Sequence, residues 1–239
     1  MNKVILQAHD LFKTAGFDYA ICGGFGLDMF AGREIRTHGD FDIAIFAEDK
    51  RRAVQFLLDN DWPVYGRFGE VGPIWQYLFY KINDILDNFW DDLPNVWSVK
   101  HGGSPEMFKL ERLLGDGRID VYSYKQPSEW HVKELNFIEL GFDKREDGDY
   151  VAQENPRVAL PMDKAILYRD GIPYLAPEIT LFYKSGKSSM EGAYAKPRTI
   201  ADYKAIMPML SDRSKKWLLD SIDATYPDGY GWLDGLLCN

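Results

Sequence analysis

Two aspartates one residue apart, Asp40 and Asp42, stand at the head of the apolar run "FDIAIF". In an extended strand successive side chains alternate in direction, so these two carboxylates share one face and repel each other. A divalent cation relieves that repulsion, and Mg2+ commonly takes one or two carboxylates together with phosphate oxygens of a substrate. Upstream, Gly23 and Gly24 follow the short apolar run "DYAIC". Glycines after a strand let backbone N–H groups approach a phosphate, and a helix that starts there adds its positive end. Together the two features suit metal-assisted transfer at a nucleotide phosphate.

Two other phosphate loops fail on their residues. A dinucleotide fingerprint begun at Gly24 and Gly26 needs a third glycine where Met29 stands, and no acidic residue closes a second strand. A Walker A loop at "SGKSS" needs its first glycine at Leu181 and should follow a strand, whereas the preceding residues read as helix; Lys187 is then a surface residue.

The elements that must hold these residues are legible from periodicity. Val4, Ile5, Ala8, Leu11 and Phe12 recur at helical spacing, "DYAIC" reads as a buried strand broken by the glycine pair, and Leu27 to Ala31 turn helical until Gly32. "FDIAIF" alternates as a strand and "EDKRRAVQFLLDN" returns to helical spacing. Ile74, Leu78, Ile82, Leu86 and Trp90 stand at steps of four, which predicts a long amphipathic helix over 74–90. The runs "NVWSVK", "FKLERLL", "RIDVYSY" and "NFIELGF" predict strands. Beyond them "GIPYLAPEITLFYKSG" reads as helical, with Pro177 near its start and Gly186 at its end, followed by helices in "RTIADYKAIM" and "SDRSKKWLLDSI", the latter capped by Ser211. The expected architecture is α+β: a mixed sheet flanked by helices over residues 1–160 and a C-terminal helical domain over 161–239, with the substrates held in a cleft between them.

The segment "GGFGLDMFAGREIRTHGDFDIAIF" resembles the nucleotidyltransferase signature of the DNA-polymerase-β superfamily, most closely its aminoglycoside and lincosamide branch. The residues that carry the likeness are Gly23, Gly24, Asp28, Gly32, Arg33, Arg36, His38 and the Asp40-x-Asp42 pair. A second likeness lies in "GIPYLAPEITLFYKS" and "KPRTIADYKAIMPML", similar to the helical half of that branch, where a lysine at the position of Lys184 is expected to face nucleotide phosphates. Thr199 departs from the branch, which has an aspartate there, and the middle of the chain matches poorly. The nucleotidyltransferase fold and its activity follow from the resemblance as expectations.

The resemblance also implies a third carboxylate on a neighbouring strand, completing a site for Mg2+ with Asp40 and Asp42. Glu139, in "FIELGFDKREDGDYV", is preferred because an acid in an apolar strand precedes a polar turn; Asp120 in "RIDVYSY" has the same local form, and Asp87 stands behind both. The implied reaction moves an NMP group from an NTP, ATP foremost, to a hydroxyl of a small molecule, with pyrophosphate leaving. Arg36, His38 and Lys184 would offset charge on the β- and γ-phosphates, beside the Gly23 and Gly24 backbone. Each residue has a plainer reading: Gly23-Gly24 as a tight turn, the aspartates as solvated strand residues, Arg33 and Arg36 as surface arginines, Lys184 as a snorkelling helix residue. Asp28 is expected to brace its loop and Asp202 to pair with a neighbouring base. Tyr174, Trp217 and Trp232 are expected in the core or in substrate-cleft walls.

Composition narrows the acceptor and the setting. With 46% hydrophobic residues and a net charge of −9, the chain is globular and acidic, which disfavours nucleic acid and favours a cationic acceptor such as an aminoglycoside. No run is long and apolar enough for a membrane span, and "MNKVILQAHD" lacks a signal-peptide core, so a cytoplasmic protein is expected. Cys22 and Cys238 form no metal or disulfide pattern. Two rivals remain: a transferase toxin acting on RNA or protein, which needs a basic groove around Arg33, Arg36, Lys184, Lys187, Lys196 and Arg198, and a nucleotide-binding regulator without catalysis.

Overall fold

The computed structural model describes residues 1–62, 64–70, 77–81, 95–99, 110–113, 119–121, 134–186, 190–191 and 194–226. In chain order the elements are α1 (Lys3–Phe12), β1 (Tyr19–Ile21), α2 (Gly23–Ala31), β2 (Asp42–Phe46), α3 (Lys50–Asp59), β3 (Val64–Glu70), β4 (Tyr77–Lys81), β5 (Asn95–Val99), β6 (Leu110–Leu113), β7 (Ile119–Val121) and β8 (Phe137–Glu146). There follow β9 (Asp149–Val151), β10 (Ala159–Pro161), α4 (Met162–Ala165), β11 (Ile166–Arg169), β12 (Ile172–Leu175), α5 (Pro177–Lys184), β13 (Met190–Glu191), β14 (Tyr194–Ala195), α6 (Pro197–Ile206) and α7 (Asp212–Thr225). The α+β class is as expected, with a mixed sheet, flanking helices and helices at the C-terminal end.

The chain divides into two compact units: Met1–Tyr19 with His38–Phe142, and Ala20–Thr37 with Asp143–Asn239. This differs from a single cut at residue 160. Helix α2 groups with the C-terminal residues because it packs on α5, α6 and β12.

In the first unit the strands run in the order β2-β8-β5-β3-β4-β7-β6, with every pair from β8 to β6 antiparallel. Its core gathers Val4, Ile5, Ala8 and Phe12 of α1, Ile43 and Ile45 of β2, Leu57 of α3, and Val96, Ile138 and Leu140 of β5 and β8. These are the apolar positions that helical and strand periodicity pick out, and burying each of the side chains larger than alanine is worth about 1.5–3 kcal/mol.

In the second unit β1 pairs in parallel with β12 through Ile21 and Tyr174, and β11 lies antiparallel to β12. Strand β9 pairs with the far end of β8 and with β10. Helix α5 packs on α2, α6 and α7 through buried Ile179, Leu181 and Phe182.

Three local readings change. The expected helix over 74–90 is a strand where it is described, Tyr77–Lys81, hydrogen-bonded on both sides by β3 and β7. Tertiary pairing there overrides a four-residue spacing carried by few positions. Helix α2 begins at Gly23 rather than Leu27, and Gly32 closes it as expected. The run "GIPYLAPEITLFYKSG" is not all helix: Ile172–Leu175 is a buried strand, and the helix starts at Pro177. Ser211 caps α7, accepting from the Ser214 N–H at 3.1 Å.

Candidate functional site

The second unit builds the glycine turn. Gly23 has φ +60, in the left-handed region that side-chain-bearing residues adopt only at a cost, and this lets β1 turn directly into α2. A Cβ at Gly26 would lie 2.9 Å from the Ile21 carbonyl oxygen, so glycine here permits close packing of helix on strand. Downstream of α2, the buried Asp28 carboxylate accepts the Ile35 backbone N–H at 2.9 Å. It braces the loop that leads to Arg36.

Arg36 and Lys184 both meet Asp202. Arg36 Nε donates to Asp202 Oδ1 at 2.6 Å and its Nη2 to Oδ2 at 2.9 Å, a two-pronged fork, while Lys184 Nζ reaches Oδ2 at 3.0 Å. None of the Asp202 side chain is exposed, and 18% of each cation's is. Burial alone would raise the Asp202 carboxyl, but the Lys184 charge and the Arg36 and Lys184 hydrogen bonds outweigh it and hold the group below its ordinary range.

The first unit holds the acids. Phe41 is fully buried, whereas Asp40 before it and Asp42 after it are partly exposed, as alternation requires. The Glu139 backbone N–H donates to the Phe41 carbonyl at 2.9 Å, so Glu139 stands beside the residue that separates the two aspartates. Asn95 Nδ2 donates to Glu139 Oε1. Asp120 sits in β7, in register with Leu78 and Arg112, and so on a strand that is not a neighbour of β2. Asp87, Lys187 and Trp232 lie outside the described residues. His38, with 4% exposure, is buried. Tyr174 is buried as well, and Trp217 Nε1 donates to the Ala159 carbonyl at 2.8 Å.

The Asp40 and Asp42 pair suits Mg2+ as a donor set: hard oxygens, one face, partial exposure, and room in the coordination sphere for phosphate oxygens. Among the described residues no three His, Cys, Asp or Glu side chains gather closely enough to hold a metal ion. The donors brought together are therefore the aspartates, with Glu139 adjacent through its backbone and its side chain engaged by Asn95.

One cluster has no counterpart in the sequence reading. Asp143, in the second half of β8, is buried; Tyr183 of α5 donates to its Oδ1, the Tyr150 hydroxyl donates to that of Tyr183 at 3.2 Å, and the Gln153 N–H approaches Asp143 Oδ1 at 3.4 Å. Burial pushes the Asp143 carboxyl up to about 6 against those hydrogen bonds. The sole sequence signal is an acid next to Phe142 inside an apolar strand.

Residues 4–62 match the family model of aminoglycoside-2''-adenylyltransferases. A stretch of 63 residues is 30% identical to a lincosamide resistance protein of Staphylococcus haemolyticus, covering 26% of this chain and 39% of that one. The match spans well under half of that relative's length. Among solved structures, the lincomycin-bound lincosamide antibiotic adenylyltransferase LnuA aligns at 16% identity and a TM-score of 0.45, over 88% of this chain and 98% of that one. ANT(2'')-Ia in complex with adenylyl-2''-tobramycin aligns at 13% identity and a TM-score of 0.48, over 92% of this chain and 94% of that one. The matched residues 4–62 take in the glycine turn, Arg36, His38 and both aspartates. Among the described residues no helix is long and apolar enough to cross a membrane.

Proposed function

We propose that the protein is a Mg2+-dependent nucleotidyltransferase that moves an NMP group, from ATP foremost, to a hydroxyl of a small antibiotic of the aminoglycoside or lincosamide kind. The observation that supports this reading above the others is the Glu139 N–H to Phe41 carbonyl bond, made to the residue between the two aspartates, which lies in the segment that the family model matches. Asp40 and Asp42 would hold the metal, which when bound polarises the phosphoryl oxygens under attack. Glu139, preferred over Asp120, would accept the acceptor hydroxyl's proton once Asn95 releases it; its backbone bond to the Phe41 carbonyl supports that preference. The Gly23 and Gly24 N–H groups and Lys184 supply positive potential for the phosphates, and His38 and Arg36 frame the loop that precedes the aspartates. The acidic balance of the chain favours a cationic acceptor.

Purified protein mixed with ATP and Mg2+ should release pyrophosphate only when an acceptor from a panel of aminoglycosides and lincosamides is added. Release with no antibiotic but with RNA or protein would redirect the substrate. Of the six cations that a nucleic-acid groove would need, Arg36 already spends its fork on Asp202, which disfavours that outcome. ATP binding without transfer to any acceptor would favour the regulatory reading, which the engagement of Glu139 by Asn95 supports.

A further inference from the structure

Three consecutive residues end α5, and each is fastened to a different group. The Tyr183 hydroxyl donates to Asp143, Lys184 Nζ lies 3.0 Å from Asp202 Oδ2, and Ser185 Oγ lies 3.0 Å from the Tyr203 hydroxyl. Tyr203 in turn donates to the Leu181 carbonyl at 2.8 Å. Asp202 and Tyr203 are neighbours on α6, so the tyrosine fixes α6 against the end of α5, and the aspartate meets Lys184 in a set register.

Counting donors separates the two cations. Arg36 spends Nε and Nη2 on Asp202 and Nη1 on the Thr37 carbonyl at 2.9 Å. Its planar fork is saturated along the edge that faces Asp202 and its own loop. Lys184 has three N–H donors on a long flexible stem and gives one direction to Asp202. One carboxylate against two cations leaves a formal surplus of one positive charge.

Resting on the nucleotidyltransferase reading, we infer that Asp202 is a positioning residue for the nucleotide: clamped by Arg36, it holds the Lys184 ammonium where that group meets the phosphates. Arg36 then serves Asp202 rather than the nucleotide. A lysine held in place before its ligand arrives loses less side-chain freedom on binding, and the ligand binds more tightly for it.

Charge alone makes the opposite prediction, which gives the test its sign. Replacing Asp202 with Asn raises the surplus charge from one to two and, by Coulomb attraction, would tighten binding of a polyanion. If Asp202 positions Lys184, Asp202→Asn weakens binding of Mg2+-ATP about tenfold in calorimetric titration, and Lys184→Gln weakens it by about tenfold or more. Because Asp202 acts through Lys184, the double variant binds no more weakly than Lys184→Gln alone. Unchanged or tighter binding by Asp202→Asn, or costs that multiply in the double variant, overturns the inference while leaving the proposed reaction intact. Should circular dichroism show Asp202→Asn unfolded, Asp202→Glu replaces it in the same cycle. That variant keeps the charge, moves the oxygens by one methylene and is expected to cost about threefold, again only when Lys184 is present. A wild-type protein that binds no Mg2+-ATP overturns both this inference and the nucleotidyltransferase reading.

Discussion

The molecule carries two charged clusters that are built in opposite ways. In the first unit Asp40 and Asp42 stand partly exposed at the head of β2, like charges on one face with a buried phenylalanine between them. In the second, Asp202 is fully enclosed and met by Arg36 and Lys184, opposite charges fitted to one another. The first arrangement sets like charges two residues apart in partly exposed positions, and the second is compensated within the fold. A like-charge pair is thus suited to ligand chemistry, whereas the compensated cluster is suited to holding its members still.

Substitutions test the contrast directly. The largest effect is expected at the exposed pair: Asp40→Asn or Asp42→Asn should cut pyrophosphate release by about a thousandfold. Thermal midpoints should barely move, since partly exposed changes outside the core are worth about 0.5 kcal/mol or less. A large loss of stability with activity retained would reverse the assignment of the two clusters. At the enclosed carboxylate the balance tips to stability. Asp202→Ala should lower unfolding free energy by about 3–5 kcal/mol in urea titration, because it strands two half-buried cations.

A third test uses pH. The Asp143 carboxyl is raised from 3.8 to about 6, so its protonated form favours folding at low pH, and that contribution is lost as pH rises through this window. Asp143→Asn should remove the loss, gaining roughly 1–3 kcal/mol relative to wild type between pH 4 and pH 7 by urea midpoints. A variant that follows the wild-type pH dependence would place the titration elsewhere. The smallest effect is expected at the turn. Gly23→Ala should cost about 1 kcal/mol, the penalty for a side chain at positive φ, seen as a fall in thermal midpoint.

Much of this was open to reading along the chain. Alternation around Phe41 put the two aspartates on one face, and the structure buries Phe41 while leaving both partly exposed. Asp28 braces its loop and Asp202 pairs with bases, as their positions implied. What misled was spacing without context. Leu78 belongs to a strand because β3 and β7 flank it, and Ile172–Leu175 is extended because it lies between β11 and β1.

Local chemistry was legible along the chain: a glycine pair that breaks a strand, two acids flanking a phenylalanine, a proline near the start of α5 and a serine that caps α7. These follow from backbone geometry within a few residues. Tertiary structure alone decided that Glu139 lies against Phe41, that Arg36 and Lys184 share a carboxylate from a third segment, and that Tyr183 and Tyr150 close over Asp143. Those pairings join residues far apart in the chain, and burial and complementary charge choose them only once the chain has packed.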